Sequence, residues 1–226
     1  STEEVISDLK KVFEVGGNQV TLYPLFTFPY SSVGKHLKLK RVMFPKLSVR
    51  RKMYRTIHNF CLEKGFNRVS VWGFKRGDVP RFSSVTRDNY IGLGAGAGSH
   101  LPGMFTFNTF SVQEYIKHAK SNKPPIALHM NLTPKMERYY WLYWRLYETY
   151  VSKEELDKKF ANDKKIKFLF KIAKIFGMYT EKDGLLILTE RGSFWIHLIQ
   201  NYYILYYIDK VWSIAMKEPW PGRITL

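Results

Sequence analysis

Apolar residues at Val5, Leu9, Val12 and Phe13 recur at helical spacing and stop at Gly16-Gly17, which predicts an amphipathic opening helix. A β-rich run, Gln19 to Tyr23, follows and ends at Pro24, which can neither donate to a ladder nor continue the strand. The next helix is expected from about Ser48 as N-cap, with Val49, Met53, Ile57, Phe60 and Cys61 on one face and Gly65 as its stop. Arg68 to Trp72 then alternates as a strand. Strand, loop, helix, strand is the order of a β-α-β unit, whose strands are normally parallel with a right-handed crossover. A parallel sheet needs cover on both faces, and the pattern yields only two barrel-type strands, so further strands are expected upstream.

Phe105 to Ser111 is strand-like, and Val112, Tyr115 and Ile116 begin a short helix. Ser121-Asn122-Lys123-Pro124-Pro125 is the best linker candidate, which divides the chain into a domain over 1–122 and another over 123–226. Thr133-Pro134 opens a helix with seven aromatics between Tyr139 and Tyr150, too many to face one core. Ser152 and Glu155 match a capping box before a short helix. A second helix runs from about Lys164 to Phe176, with Ile166, Leu169, Phe170, Ala173 and Ile175 inward and Gly177 as its stop. Met178–Thr180 and Leu185–Leu188 flank an Asp183-Gly184 turn, and Thr189 caps a last helix through Trp212. Two short helices, a hairpin and a closing helix make a winged-helix-like module.

Composition narrows the chemistry. Thirty-six Lys plus Arg against nineteen Asp plus Glu give a formal charge of +17, which favours anionic partners. Nine of the cations lie between Lys35 and Arg55 without an acid among them, either a solvated face or an anion contact. A single cysteine, Cys61, excludes an internal disulfide and an all-cysteine metal site, and the chain reads as cytoplasmic. The six histidines show no close metal spacing, so no metal site is expected. No membrane span is expected either, since the uncharged run from Ser193 to Ile208 is too short for one.

The most informative stretch is Tyr90-Ile-Gly-Leu-Gly-Ala-Gly-Ala-Gly-Ser-His100. Alternating Gly and Ala strips bulk from a run of backbone, so amides and carbonyls can approach a ligand, or the run can form a tight turn against a neighbouring element. The dinucleotide fingerprint fails, because its third glycine would fall at Ala97, and a P-loop fails for want of Gly-Lys-Ser/Thr. Ser99-His100 carries no nucleophile signature.

Tyr90 to Ser99 resembles a glycine-alanine segment of the oxygen-independent coproporphyrinogen III oxidase-like radical S-adenosylmethionine (SAM) family, which includes anaerobic haem-degrading relatives. Leu22-Tyr23-Pro24-Leu25 with Phe28-Pro29 resembles that family's late barrel strand, and Leu188-Thr189-Glu190-Arg191-Gly192 the start of its last helix. The resemblance implies the C-terminal part of an open parallel (β/α) barrel over 1–122 and a winged-helix-like domain over 123–226. It implies that Gly94, Ala95, Gly96, Ala97 and Gly98 lie beside SAM, and that the parent is an oxidoreductase acting on a tetrapyrrole or similar anionic ring. Two departures stand out: Gly98 occupies a position where relatives carry His, and only Arg81-Phe-Ser-Ser-Val-Thr-Arg87 stands where they have Arg-x-Asn.

The family's four-iron four-sulfur cluster needs three thiolates, and one cysteine cannot provide them. On this reading the chain is a truncated, split or decayed copy, inactive alone, and the cluster half comes from missing residues or a partner chain. A rival reading from charge is a basic winged-helix module that binds nucleic acid, with the helix near Lys164 to Lys174 on phosphate.

Overall fold

The computed structural model describes residues 1–25, 32–33, 45–81 and 88–225. In chain order the elements are α1 (Thr2–Glu14), β1 (Gln19–Thr21), α2 (Leu47–Glu63), β2 (Asn67–Arg68), β3 (Gly73–Lys75), β4 (Gly98–Leu101), β5 (Met104–Asn108), α3 (Val112–Lys120), β6 (Ile126–Asn131), α4 (Pro134–Glu148), β7 (Tyr150–Ser152), α5 (Lys153–Lys159), α6 (Lys164–Ile175), β8 (Tyr179–Lys182), β9 (Leu185–Leu188) and α7 (Glu190–Ala215). They fall into two compact units. The first takes the described residues of 1–25, 45–81 and 142–199; the second takes 32–33, 88–141 and 200–225.

In the first unit α1 opens on a capping box: Ser1 Oγ accepts the Glu4 amide at 3.2 Å, and Glu4 reaches back to Ser1. Helix α2 begins at Lys46 without a side-chain cap, so Ser48 lies inside the first turn and not at the N-cap. The buried positions of α2 are Tyr54, Ile57 and Cys61, while Val49, expected inward, is exposed. Leu9, Ile57, Cys61, Phe66 and Phe74 form one core cluster, against which Phe13 stacks on Phe66 at 4.2 Å. Tyr54, Val71, Trp72, Tyr147 and Phe194 form a second, and the Tyr54 hydroxyl donates to the Val71 carbonyl at 2.8 Å.

The expected strand from Arg68 to Trp72 and its parallel partner are not found. Strands β2 and β3 form a hairpin, and β1 lies on the other side of β3 with every pairing antiparallel. The physical reason is burial. Val71 and Trp72 are both buried in one and the same cluster, whereas consecutive strand residues point to opposite faces. The chain satisfies both by turning between β2 and β3, which sends the two side chains into the aromatic cluster.

The same unit holds β7, β9 and β8 as an antiparallel sheet. Asp183 and Gly184 have φ of +50° and +73°, the left-handed pair a two-residue hairpin turn requires. Ser152 Oγ accepts the Glu155 amide at 3.3 Å to start α5, and Asp163 caps α6 through the amides of Lys165 and Ile166, both at 3.1 Å. Of the inward set expected for α6, Ile166 is buried, but Leu169 and Ile175 are exposed. Thr189 Oγ1 accepts the Gly192 amide at 3.0 Å and opens α7, which runs three residues past the expected Trp212.

The second unit is built on an antiparallel sheet in the order β4-β5-β6. The stretch read as a linker feeds this sheet directly: Thr109 N donates to the Pro125 carbonyl at 2.8 Å, and β6 pairs with β5. Residues on both sides of Asn122 therefore share one ladder. Ser111 caps α3, with the Glu114 amide on its Oγ at 3.3 Å. Among the described residues no helix is long and apolar enough to cross a membrane.

Candidate functional site

The glycine-alanine segment is a closed loop in the second unit. Tyr90 and His100 form a two-bond antiparallel bridge, N to O distances 2.9 and 3.0 Å, and pin its ends. Inside, the Gly92 amide donates to Ser99 Oγ at 3.0 Å, the Gly94 amide to the Tyr115 hydroxyl at 3.0 Å, and the Gly96 amide to the Thr109 carbonyl at 2.8 Å. Buried Asn108, at the end of β5, donates from Nδ2 to the carbonyls of Gly92 and Gly94 at 3.2 and 2.9 Å. Sequence reading missed Asn108, Tyr115 and Thr109 as its supports. Asn is depleted in strands, so an asparagine closing a strand-like run was the available signal.

The glycines have different reasons to be glycine. A Cβ at Gly92 would stand 2.1 Å from the Gly98 carbonyl oxygen; at Gly96 it would press on the Phe110 ring, and at Gly98 on Phe105 and Phe107 at 3.2 Å. Internal packing thus explains three of them. Gly96 and Gly94 also have positive φ, +70° and +105°, but only at Gly94 does nothing lie within 4 Å of where a Cβ would be. Beside it the amides of Leu93 and Ala95 find no acceptor among the described residues. The loop is tied down by these hydrogen bonds except over Leu93 to Ala95, where two backbone donors lack an acceptor among the described residues.

Ser99 and His100 serve different partners. His100 Nδ1 meets the Asp88 carbonyl, Nε2 lies 3.1 Å from the Glu137 carboxylate, and the ring stacks on Tyr140 at 4.0 Å. The other Glu137 oxygen accepts the Gly103 amide at 2.8 Å. His100 therefore ties the end of the loop to α4, and with Ser99 facing Gly92 there is no nucleophile–base couple.

Cys61 is fully buried in the first unit's core, and desolvation pushes its thiol up to about 12. It is a packing residue. Among the described residues no three His, Cys, Asp or Glu side chains come together to hold a metal. Of the basic stretch Lys35–Arg55, residues 35–44 lie outside the described ones, as do Phe28, Pro29 and 82–87. Arg51 is committed to the Glu190 carboxylate, Nη2 to Oε2 2.6 Å, and its guanidinium lies 5.2 Å from the Phe194 ring centre. It does not point to an external anion.

No protein-family model matches the chain. A search of curated proteins finds the heme chaperone HemW of Lactococcus lactis, 28% identical over 127 residues, which are 54% of this chain and 33% of that protein. Among solved structures, the radical SAM enzyme coproporphyrinogen III oxidase (HemN) of Escherichia coli superimposes with a TM-score of 0.64 at 14% identity, over 91% of this chain and 51% of that one. The chain thus spans about half the length of the solved structure it matches. The resemblance carried by Tyr90–Ser99 is borne out on both counts: this chain is similar in sequence to a heme chaperone and in fold to a radical SAM coproporphyrinogen III oxidase.

Proposed function

We propose that these residues form the C-terminal, cofactor-facing portion of a radical SAM oxidoreductase acting on a tetrapyrrole or similar anionic ring. The observation that carries this reading is the glycine-alanine loop, in which packing accounts for Gly92, Gly96 and Gly98 but leaves Gly94 and its neighbours open. The amides of Leu93 and Ala95, which have no acceptor among the described residues, suit the polar edge of an adenosyl group, and the missing Cβ at Gly94 leaves room for its approach. Gly94, Ala95, Gly96, Ala97 and Gly98 are the residues we assign to SAM, with Leu93 added. When bound at a reduced cluster, SAM supplies the one-electron oxidising chemistry of this enzyme class. The loop's part is to hold and orient the cofactor. With one buried cysteine, the cluster ligands come from residues outside these 226.

Within this reading, the barrel-side portion runs past residue 122, since β6 shares its sheet with β5, and the likeness in fold to the solved enzyme supports it. Residues 123–226 carry the winged-helix-like portion, supported by the order α5, α6, β8, β9, α7 with β7 as a third strand. Tetrapyrrole chemistry is supported by what the two similar proteins are named for, heme and coproporphyrinogen.

Equilibrium dialysis of SAM against the chain and its Ala95→Trp variant tests the assignment. A tryptophan over the open stretch is expected to weaken binding at least about tenfold, or 1.4 kcal/mol. Equal binding by both proteins contradicts it. Anaerobic reconstitution of the same chain is expected to leave no stable four-iron cluster, and one retained through gel filtration contradicts the assignment of its ligands elsewhere.

One observation favours a second reading, in which a basic winged helix meets nucleic acid: Lys164, Lys165, Lys167 and Lys171 are all exposed on α6. A salt titration of duplex binding separates the two. Affinity that the Lys164→Gln/Lys167→Gln variant leaves unchanged removes this reading.

A further inference from the structure

A cleft of about 490 Å³ in the second unit is lined by Ala127, Leu128, His129 and Met130 in succession. Consecutive strand residues point to opposite faces, so a cleft that touches all four runs along the outer edge of β6. The ladder shows what that edge offers. Leu132 N donates to the Gly103 carbonyl at 2.7 Å, which sets the phase of the β5–β6 pairing. Bonded and non-bonded pairs alternate in an antiparallel ladder, so Met130 and Leu128 exchange hydrogen bonds with Phe105 and Phe107. His129 and Asn131, in the non-bonded pairs, turn their amides and carbonyls outward, where these groups find no partner among the described residues. Natural sheets commonly blunt such an edge with proline or charge, yet Ile126–Asn131 holds no Pro, Lys, Arg, Asp or Glu.

Open backbone groups at alternate positions of an edge strand match an extended polypeptide, which can return both hydrogen bonds at each of them. A strand paired at His129 would project its residues on either side of that pairing to the face shared by Leu128 and Met130. Tyr207 and Val211 of α7 line the same cleft, so that face suits apolar side chains. Charge selects among polypeptides. Arg223 and His129, both exposed, stand at the cleft, and no Asp or Glu is among its described lining residues. An acidic segment is favoured there, whereas a second copy of a chain of charge +17 would set cation against cation. We propose that β6 accepts an extended, acidic segment of a partner polypeptide as an added strand. It is bonded to the backbone of His129, with apolar side chains on either side of that pairing in the cleft and an Asp or Glu at Arg223.

A phage-displayed heptapeptide library panned on the 226-residue chain supplies the probe, and its strongest binder is synthesised and titrated by fluorescence anisotropy. Enriched sequences are expected to alternate apolar residues and to carry Asp or Glu. N-methylation of the peptide's alternate amides is the direct readout of strand addition. One alternate set is expected to weaken binding at least about tenfold and the other to leave it unchanged. His129→Pro removes an outward amide that the β5–β6 ladder does not use, so the edge strand should tolerate it and peptide binding should fall at least about tenfold. Circular dichroism checks that this variant is folded, and the N-methyl series, run on the unaltered chain, decides the matter if it is not. Arg223→Gln is expected to weaken the acidic peptide about threefold and leave its Gln analogue unchanged. Failure to enrich any peptide overturns the proposal, as do equal losses from both N-methyl sets or full binding by folded His129→Pro. Concentration-dependent dimers of the chain that His129→Pro abolishes would also overturn it, by giving the edge to a second copy.

Discussion

Gly92 and Gly94 show how one residue type answers two physical demands. At Gly92 an added methyl would sit 2.1 Å from a backbone carbonyl that cannot swing away, so Gly92→Ala must shift the loop. At Gly94 there is open space, and the demand is the backbone angle itself. We expect Gly92→Ala to cost about 3 kcal/mol and Gly94→Ala about 1–2 kcal/mol in denaturant unfolding. The reverse order would contradict the packing described. His197 couples stability to pH. It is buried against Trp72 and Tyr147, its ring nitrogens have no hydrogen-bond partner among the described residues, and burial lowers its pKa from 6.5 to about 4. The unfolded chain therefore binds a proton that the folded chain refuses between those values. Stability is full above about pH 6.5 and falls as the pH drops towards 4, by about 3 kcal/mol from this ring. His197→Phe should remove most of that loss in urea unfolding at pH 7.5 and 4.5; an unchanged difference between the two pH values would assign the acid sensitivity elsewhere.

Local signals marked the elements well where each acted alone. Gly16, Gly65 and Gly177 end helices with positive φ, Ser152 and Asp163 cap, and Asp183-Gly184 turns, all within residues adjacent in the chain. The failures lie where partners are distant. Arg68–Trp72 reads as one alternating strand until Val71 and Trp72 are seen to share a cluster with Tyr147 and Phe194, some 70 to 120 residues on. Strand β6 follows two prolines and looks like the far side of a linker, yet its partner is β5. In the loop, the glycine-alanine pattern marked a candidate site, but Asn108 and Tyr115, which shape it, are set by tertiary contact. Arg68 shows what such a contact does for an element. It donates to the carbonyls of Leu188 and Thr189 and, at 2.7 Å, to Ser193 Oγ, satisfying groups where β9 gives way to α7. Arg68→Met leaves them without their donor and is expected to cost about 2–3 kcal/mol, read as a lowered melting temperature. A variant as stable as the parent would show that water replaces the guanidinium.

For the chain as a whole, a charge of +17 and a single buried cysteine set the terms. The charge draws anions and does not choose among them, and a single cysteine cannot supply the three thiolates of a four-iron cluster. In the function proposed above, these residues contribute a frame for the cofactor, held by Asn108, Tyr115 and Ser99, with open space at Gly94. Amide-resolved nuclear magnetic resonance of the labelled chain during a SAM titration tests that most directly. Saturable shifts centred on Leu93 to Gly98 are predicted. Shifts confined to other segments, or none at saturating cofactor, would contradict it.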